Sequence, residues 1–333
     1  MWHVAAPRLI CSTLALATLT LAACSAAPQR PSGGEASVSG VGGGTGSIVA
    51  NSGPATPQSS GPTGPAALTA EAYKSELGTK HKAMLDAINA MAGARTVKTL
   101  DQRVQSAQEK LLGAANELAA IAPPQEVRAQ HDAYVASLRD FATQLGATAG
   151  KVGSRSLCTS SAVLTDLGDR LDSLDQAGEA LQGAGGYPAD VVTVKAKGKQ
   201  SRRLGNGHYL RKTSMTGRSS LQIDNGGTRD AVVTVLKGKS TAFSVYVRKK
   251  AKFKVRGVRD GSYKIFFTHG VDWDGKSKSF TRECSFERFQ KTVKFKTTFT
   301  ATQIRWHDWR VTLHAISGGN ARTSDVDPEQ FPH

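Results

Sequence analysis

The chain has only four cysteines, and none is placed for a metal: none of Cys11, Cys24, Cys158 and Cys284 sits in a CxxC pair or near a His at ligand spacing, which excludes the usual zinc patterns. No GxSxG, HExxH, SxxK or P-loop pattern occurs, so the common hydrolase, zinc-peptidase and nucleotide-binding signatures are excluded too. Acidic residues are scarce in the second part. From Val191 onward 29 Lys and Arg stand against 11 Asp and Glu, whereas the first 190 residues carry 14 against 16. A pair of acids facing each other across a cleft, as glycoside hydrolysis needs, finds little support in so basic a region. The longest apolar run covers about 15 residues near the N-terminus, short of the ~20 a membrane-spanning helix takes.

What the N-terminus does have is a short basic-then-apolar segment, MWHVAAPRLICSTLALATLTLAA, with Arg8 as its one basic residue. This is the pattern of a secretory signal over residues 1–23. It stops at LAAC, which resembles the lipobox of bacterial lipoproteins. The resemblance implies that Cys24 receives a diacylglycerol thioether and becomes the first residue of the mature chain. It also implies a lipid-anchored protein on the outer face of the cytoplasmic membrane, with membrane lipid as its first partner. Residues 24–67 follow, rich in Gly, Ser, Pro and Ala, a composition that cannot offset its ordering entropy and reads as a tether. With Cys11 in the signal and Cys24 under lipid, Cys158 and Cys284 remain in a compartment that permits disulfides. They either pair or sit apart as small buried hydrophobes.

Helical spacing governs residues 68–183. One apolar stripe runs through Tyr73, Leu77, Met84, Ile88 and Met91, and a second through Leu100, Val104, Ala107, Leu111, Leu118 and Ile121. After Pro123 and Pro124 a third carries Val127, His131, Tyr134, Leu138, Phe141 and Leu145. A fourth carries Leu164, Leu167, Leu171, Leu174 and Leu181. Four stripes joined by short links predict an antiparallel bundle, a structural element or a docking site for a protein partner. His81 and His131 fall on these stripes, where packed, hydrogen-bonded histidines are expected rather than metal ligands.

From residue 190 to 333 the period becomes two, in AVVTVL, FSVYV, KFKVRGV, SYKIFF, TVKFKTTF and RVTLHA, with turn signals at DNGG, RDGS and DWDG. The fold class is therefore α+β, a helical bundle followed by an antiparallel sandwich-like β domain. Alternation sends Phe253, Val255, Tyr263, Ile265, Phe267, Val293 and Phe295 inward. Lys252, Lys254, Arg256, Lys264, Lys294 and Lys296 then lie on a wet outer face, where edge lysines also discourage strand pairing between molecules.

The segments LQIDNGGTRDAVVTV, FSVYVRKKAKFKVRGVRDGSYKIFF, FTRECSFERF and GGNARTS together resemble the C-terminal β domain of uncharacterised actinobacterial lipoproteins and membrane proteins. That resemblance spans roughly residues 220–331 and implies a small extracytoplasmic, non-enzymatic module; it brings no residue roles with it.

Three candidate sites follow. Lys252, Lys254, Arg256, Lys294 and Lys296, if they share one face, form an anion-binding surface for envelope polymer or lipid headgroups. IRWHDWR gathers Arg305, Trp306, His307, Trp309 and Arg310, residue types of interface hot spots and of sugar stacking, although a Trp pair can equally be core. Asp272 and Asp274 in VDWDG start like a calcium loop without its later ligands, so a plain turn is expected. No cofactor is implied. The reading is a non-enzymatic lipoprotein that binds anionic envelope components or a protein partner. The alternative is an envelope carbohydrate-binding or carbohydrate-processing protein, and nucleic acid is disfavoured by export.

Overall fold

The computed structural model describes residues 66–314 and 321–332; the signal, Cys24 and most of the tether lie outside the described residues. Five helices come first: α1 (Ala70–Ala92), α2 (Val97–Ala119), α3 (Arg128–Gly153), α4 (Ser160–Asp166) and α5 (Gly168–Gly183). Their starts are written in the sequence. Thr69 and Thr159 accept hydrogen bonds from the amides three residues on, and Thr96 forms a reciprocal capping box with Thr99. The predicted stripes pack into one core, with Ile121 and Leu164 only partly buried at its margin.

The fourth predicted helix is two, broken at Leu167. A Cβ on Gly168 would lie 3.5 Å from Ala196 Cβ, because the extended chain after α5 lies back along the helices at this point. Tyr187, Ala189 and Val191 of that chain are part of the helical core, and His81 Nε2 lies 2.7 Å from the Asp190 carbonyl. The packing therefore changes from helical to β some residues later than the charge does. His131 is buried against the Tyr73 hydroxyl at 2.9 Å, and burial lowers its pKa, so it is a packed neutral imidazole.

The β region forms a two-layer sandwich. The larger sheet has the order β1 (Tyr209–Lys212), β4 (Ser240–Val247), β3 (Asp230–Lys237), β6 (Gly261–Asp274), β7 (Ser279–Phe289) and β12 (Thr323–Asp325), with β8 (Val293–Phe295) also paired to β6. The smaller sheet has the order β11 (Trp309–Thr312), β2 (Ser219–Asn225) and β5 (Ala251–Val258), with β11 parallel to β2 in an otherwise antiparallel fold. Leu221, Ile223, Val255 and Val311 of the small sheet pack on Val233, Val245, Ile265, Phe267 and Phe295 of the large one. In β5 the alternation slips by one: Gly257, at φ +80°, bulges out, so Val255 and Val258 both point inward.

A wet outer face holds for β5, and on the large sheet for Lys264 and Lys294, but fails over much of the rest of that sheet. Val232, Tyr246, Trp273 and Phe280 form a second cluster on its outer side, with Leu204 and Leu210 packed over them. Arg202 and Arg203 pin the covering segment. Arg202 donates to both oxygens of Asp272 at 2.9 and 2.8 Å, and Arg203 makes two 2.6 Å bonds to Asp230. Although burial pushes the Asp272 carboxyl up, Arg202 and the Thr281 hydroxyl take its pKa down to about 2. Asp274 accepts from Arg202, the Lys276 amide and Ser277. Both carboxylates of VDWDG thus hold a strap and a turn.

The helices meet the sheet along one edge of β7. The link between α3 and α4 lies there as an extra strand: Cys158 N donates to the Thr281 carbonyl at 2.9 Å, and Glu283 N and Cys284 N each donate across at 3.1 Å. A disulfide joins Cys158 to Cys284, with Cα atoms 6.4 Å apart, amid Phe286, Val326 and Phe331.

Candidate functional site

Among the described residues, one part of the β region has no layer over it. β9 (Thr297–Phe299) and β10 (Ile304–Trp306) form a hairpin that pairs with no other strand among the described residues. Every residue from 298 to 310 is exposed. Register places Ile304 opposite Phe299 and Trp306 opposite Thr297, so three large apolar side chains share one face while Thr298 and Arg305 share the other. Phe299 is 68 % exposed, Trp306 47 %, Ile304 41 % and nearby Trp309 40 %. A two-stranded hairpin without a core is at best marginal in water, so its shape depends on how its ends are held.

Both ends are held. At the base, Asp260 accepts from Thr297 N at 2.7 Å and from its hydroxyl at 2.8 Å, and these bonds hold Asp260 below the usual carboxylate range. At the tip, Thr300 N donates to the Gln303 carbonyl at 2.8 Å and Gln303 N to the Thr300 hydroxyl at 3.0 Å. Past β10, His307 Nδ1 lies 3.2 Å from the Lys296 carbonyl and the Trp309 indole donates to the Lys294 carbonyl at 2.9 Å. Asp308 accepts from Ser220 N at 2.7 Å, which fixes the return strand to β2. The arm is rooted in both sheets and its apolar face is left bare.

The structure separates the five cations expected on one face. Lys252, Lys254 and Arg256 lie on β5 of the small sheet, whereas Lys294 lies on β8 of the large sheet and Lys296 just after it. Two sheets packed face to face turn their outer sides away from each other, so these five do not share one sheet face. Two of them also have acidic partners. Asp224 sits between Lys252 at 3.2 Å and Arg310 at 2.6 Å, and Lys254 lies 3.8 Å from Asp308. Among the described residues Arg256, Lys264, Lys294, Lys296 and Arg305 have no carboxylate partner; Lys294 and Lys296 lie just before the hairpin and Arg305 on its polar face. IRWHDWR is exposed along its length, so its Trp pair is not core: Arg305 and Trp306 are on β10, His307 follows, and Trp309 and Arg310 open β11. Phe299, its cross-strand neighbour, went unmarked in the sequence because its spacing in TVKFKTTF reads as another inward position.

A cleft between the sheet edges is lined by Asp224, Glu287, Phe289, Val293, Trp309 and Arg310. Burial raises the Asp224 pKa, but the bonds from Arg310 and Lys252 outweigh it and leave the carboxyl below its ordinary value. A glycosidic general acid needs the opposite shift. Of GGNARTS, residues 318–320 lie outside the described residues, while Ala321, Arg322 and Thr323 line this cleft. No described helix is long and apolar enough to cross a membrane. Compared with models of known protein families, with characterised proteins and with solved structures, the chain matches none.

Proposed function

We propose that this protein is a non-enzymatic lipoprotein, anchored through Cys24 on the outer face of the cytoplasmic membrane, whose β domain binds the anionic surface of the envelope. The observation that supports it most is the placement of Lys294, Lys296 and Arg305, without carboxylate partners among the described residues, around an exposed aromatic hairpin. Cations so placed are attracted to an anionic surface at ~1 kcal/mol each, an effect that fades within a Debye length of roughly 8–10 Å. The disulfide between helices and sheet agrees with an exported chain, since such bonds persist in oxidising compartments. The tether of 24–67 gives the domain an r.m.s. reach of roughly 35 Å if it behaves as a Gly-rich coil, enough to lie back on headgroups. The helices serve as the spacer between anchor and β domain and offer a face to a protein partner. The kinship with actinobacterial lipoproteins belongs to the same proposal.

Cell fractionation of a Cys24→Ala variant tests the anchor. The variant should leave the membrane fraction and lose incorporation of labelled fatty acid while still being exported. Unchanged lipid labelling would refute the lipoprotein reading.

A further inference from the structure

The hairpin has a property that charge alone does not account for. Phe299 and Ile304 have no polar atom in their side chains, they face each other across the strands, and Trp306 continues the same face. Phe299 and Ile304 are exposed next to the tip, and Trp306 is exposed at the base, of an arm whose base is fixed by Asp260 and by the Trp309 and His307 contacts to the Lys294 and Lys296 carbonyls. A polysaccharide can stack on Trp or Phe but does not cover Ile304 between them, whereas hydrocarbon covers all three. A second copy is opposed by charge, because Lys294, Lys296 and Arg305 would meet their own equivalents on a chain of net charge +16. Apolar side chains with an interfacial Trp, flanked by cations, match the cross-section of a bilayer: acyl chains, then the headgroup boundary, then anionic charge. We infer that the β9–β10 hairpin inserts Phe299, Ile304 and Trp306 into the outer boundary of an anionic lipid bilayer, with Lys294, Lys296 and Arg305 on its headgroups. This rests on the proposed membrane location and adds that the contact is apolar as well as electrostatic.

The chain from Ser25 onward has no signal or anchor and keeps the whole compact unit Ser60–His333. It should be mixed with vesicles of phosphatidylcholine containing phosphatidylglycerol, with bromine on the acyl chains of one lipid. Insertion predicts quenching of tryptophan fluorescence by the brominated chains and a blue shift, from Trp306 and Trp309, since Trp273 is already buried. Phe299→Ser with Ile304→Ser, at exposed positions, should keep the circular dichroism of the parent and weaken vesicle binding by about a hundredfold, roughly tenfold for each lost side chain. Salt-sensitive sedimentation with these vesicles but no quenching would overturn insertion and leave the electrostatic reading standing. No sedimentation at any salt would overturn both. A concentration-dependent dimer that the double substitution abolishes, without vesicle binding, would give the apolar face to a second copy and overturn the inference as well.

Discussion

The junction between helices and sheet offers the sharpest stability test. Cys158 and Cys284 are 126 positions apart, so their bond closes a long loop in the unfolded chain. In the chain-entropy description a loop of that length is worth about 4.9 kcal/mol at 25 °C, the upper part of the range disulfides reach. Replacing both cysteines by alanine removes that constraint and leaves the three backbone bonds of the Arg155–Cys158 ladder, together with Phe286, Val326 and Phe331, in place. For a unit of this size each kcal/mol moves the melting temperature by about 2–4 °C, so a drop of roughly 10–20 °C is expected. Thermal unfolding of the Cys158→Ala, Cys284→Ala chain, followed by circular dichroism beside the parent, measures it. Reductant should lower the parent toward the variant and leave the variant where it is. A drop under about 3 °C would refute the reasoning that closing this long loop stabilises the fold.

Acid should loosen the strap over the large sheet. The Asp272 pKa falls from 3.8 in the unfolded chain to about 2 when folded, so its stabilisation of about 2 kcal/mol is complete above pH ~4 and is lost as the pH falls toward 2. Urea unfolding at pH 7, 4 and 2.5 should show that loss in the parent and a flatter dependence in Asp272→Asn; parallel curves would contradict it. At Gly257, with φ +80°, a Cβ would stand 2.4 Å from the Met215 carbonyl oxygen, so Gly257→Ala should cost more than ~2 kcal/mol. Gly238, at φ +62° with open space around it, should cost only ~1 kcal/mol as alanine, and equal losses in the two variants would argue against the close approach.

Much of this architecture is legible in the sequence, for a physical reason that also marks where it stops. Helical stripes such as Leu100, Val104, Ala107 and Leu111 recur at the helix period because one face is buried and one is wet, which leaves a clear pattern. The break at Leu167 leaves none, since it arises where a distant segment around Ala196 crosses the helices. β3 and β4 read as strands, yet their burial on both faces depends on residues 202–210 being tied over them by Arg202 and Arg203. β2 and β10 are hidden by polar positions: Ser219, Ser220, Asp224 and Asn225 are buried in β2, and Arg305 and Gln303 interrupt the hairpin. The candidate site follows the same rule. IRWHDWR stands out by residue type, whereas the exposure of Phe299 depends on the hairpin's pairing with no other strand among the described residues. The five-cation face fails because alternation fixes the side of a strand and says nothing about which of two sheets the strand joins.

Salt-dependent binding of the chain from Ser25 to anionic vesicles measures the central claim most directly. At ~1 kcal/mol for each basic residue near the surface, replacing Lys294, Lys296 and Arg305 together by Gln should weaken binding about 150-fold at low ionic strength. The same change at Lys252 and Lys254, which face Asp224 and Asp308, should weaken it much less. Moderate salt should release the parent, and neutral vesicles should bind it poorly. Equal binding to neutral and anionic vesicles, or an unchanged affinity in the Lys294, Lys296 and Arg305 variant, would contradict the proposed function.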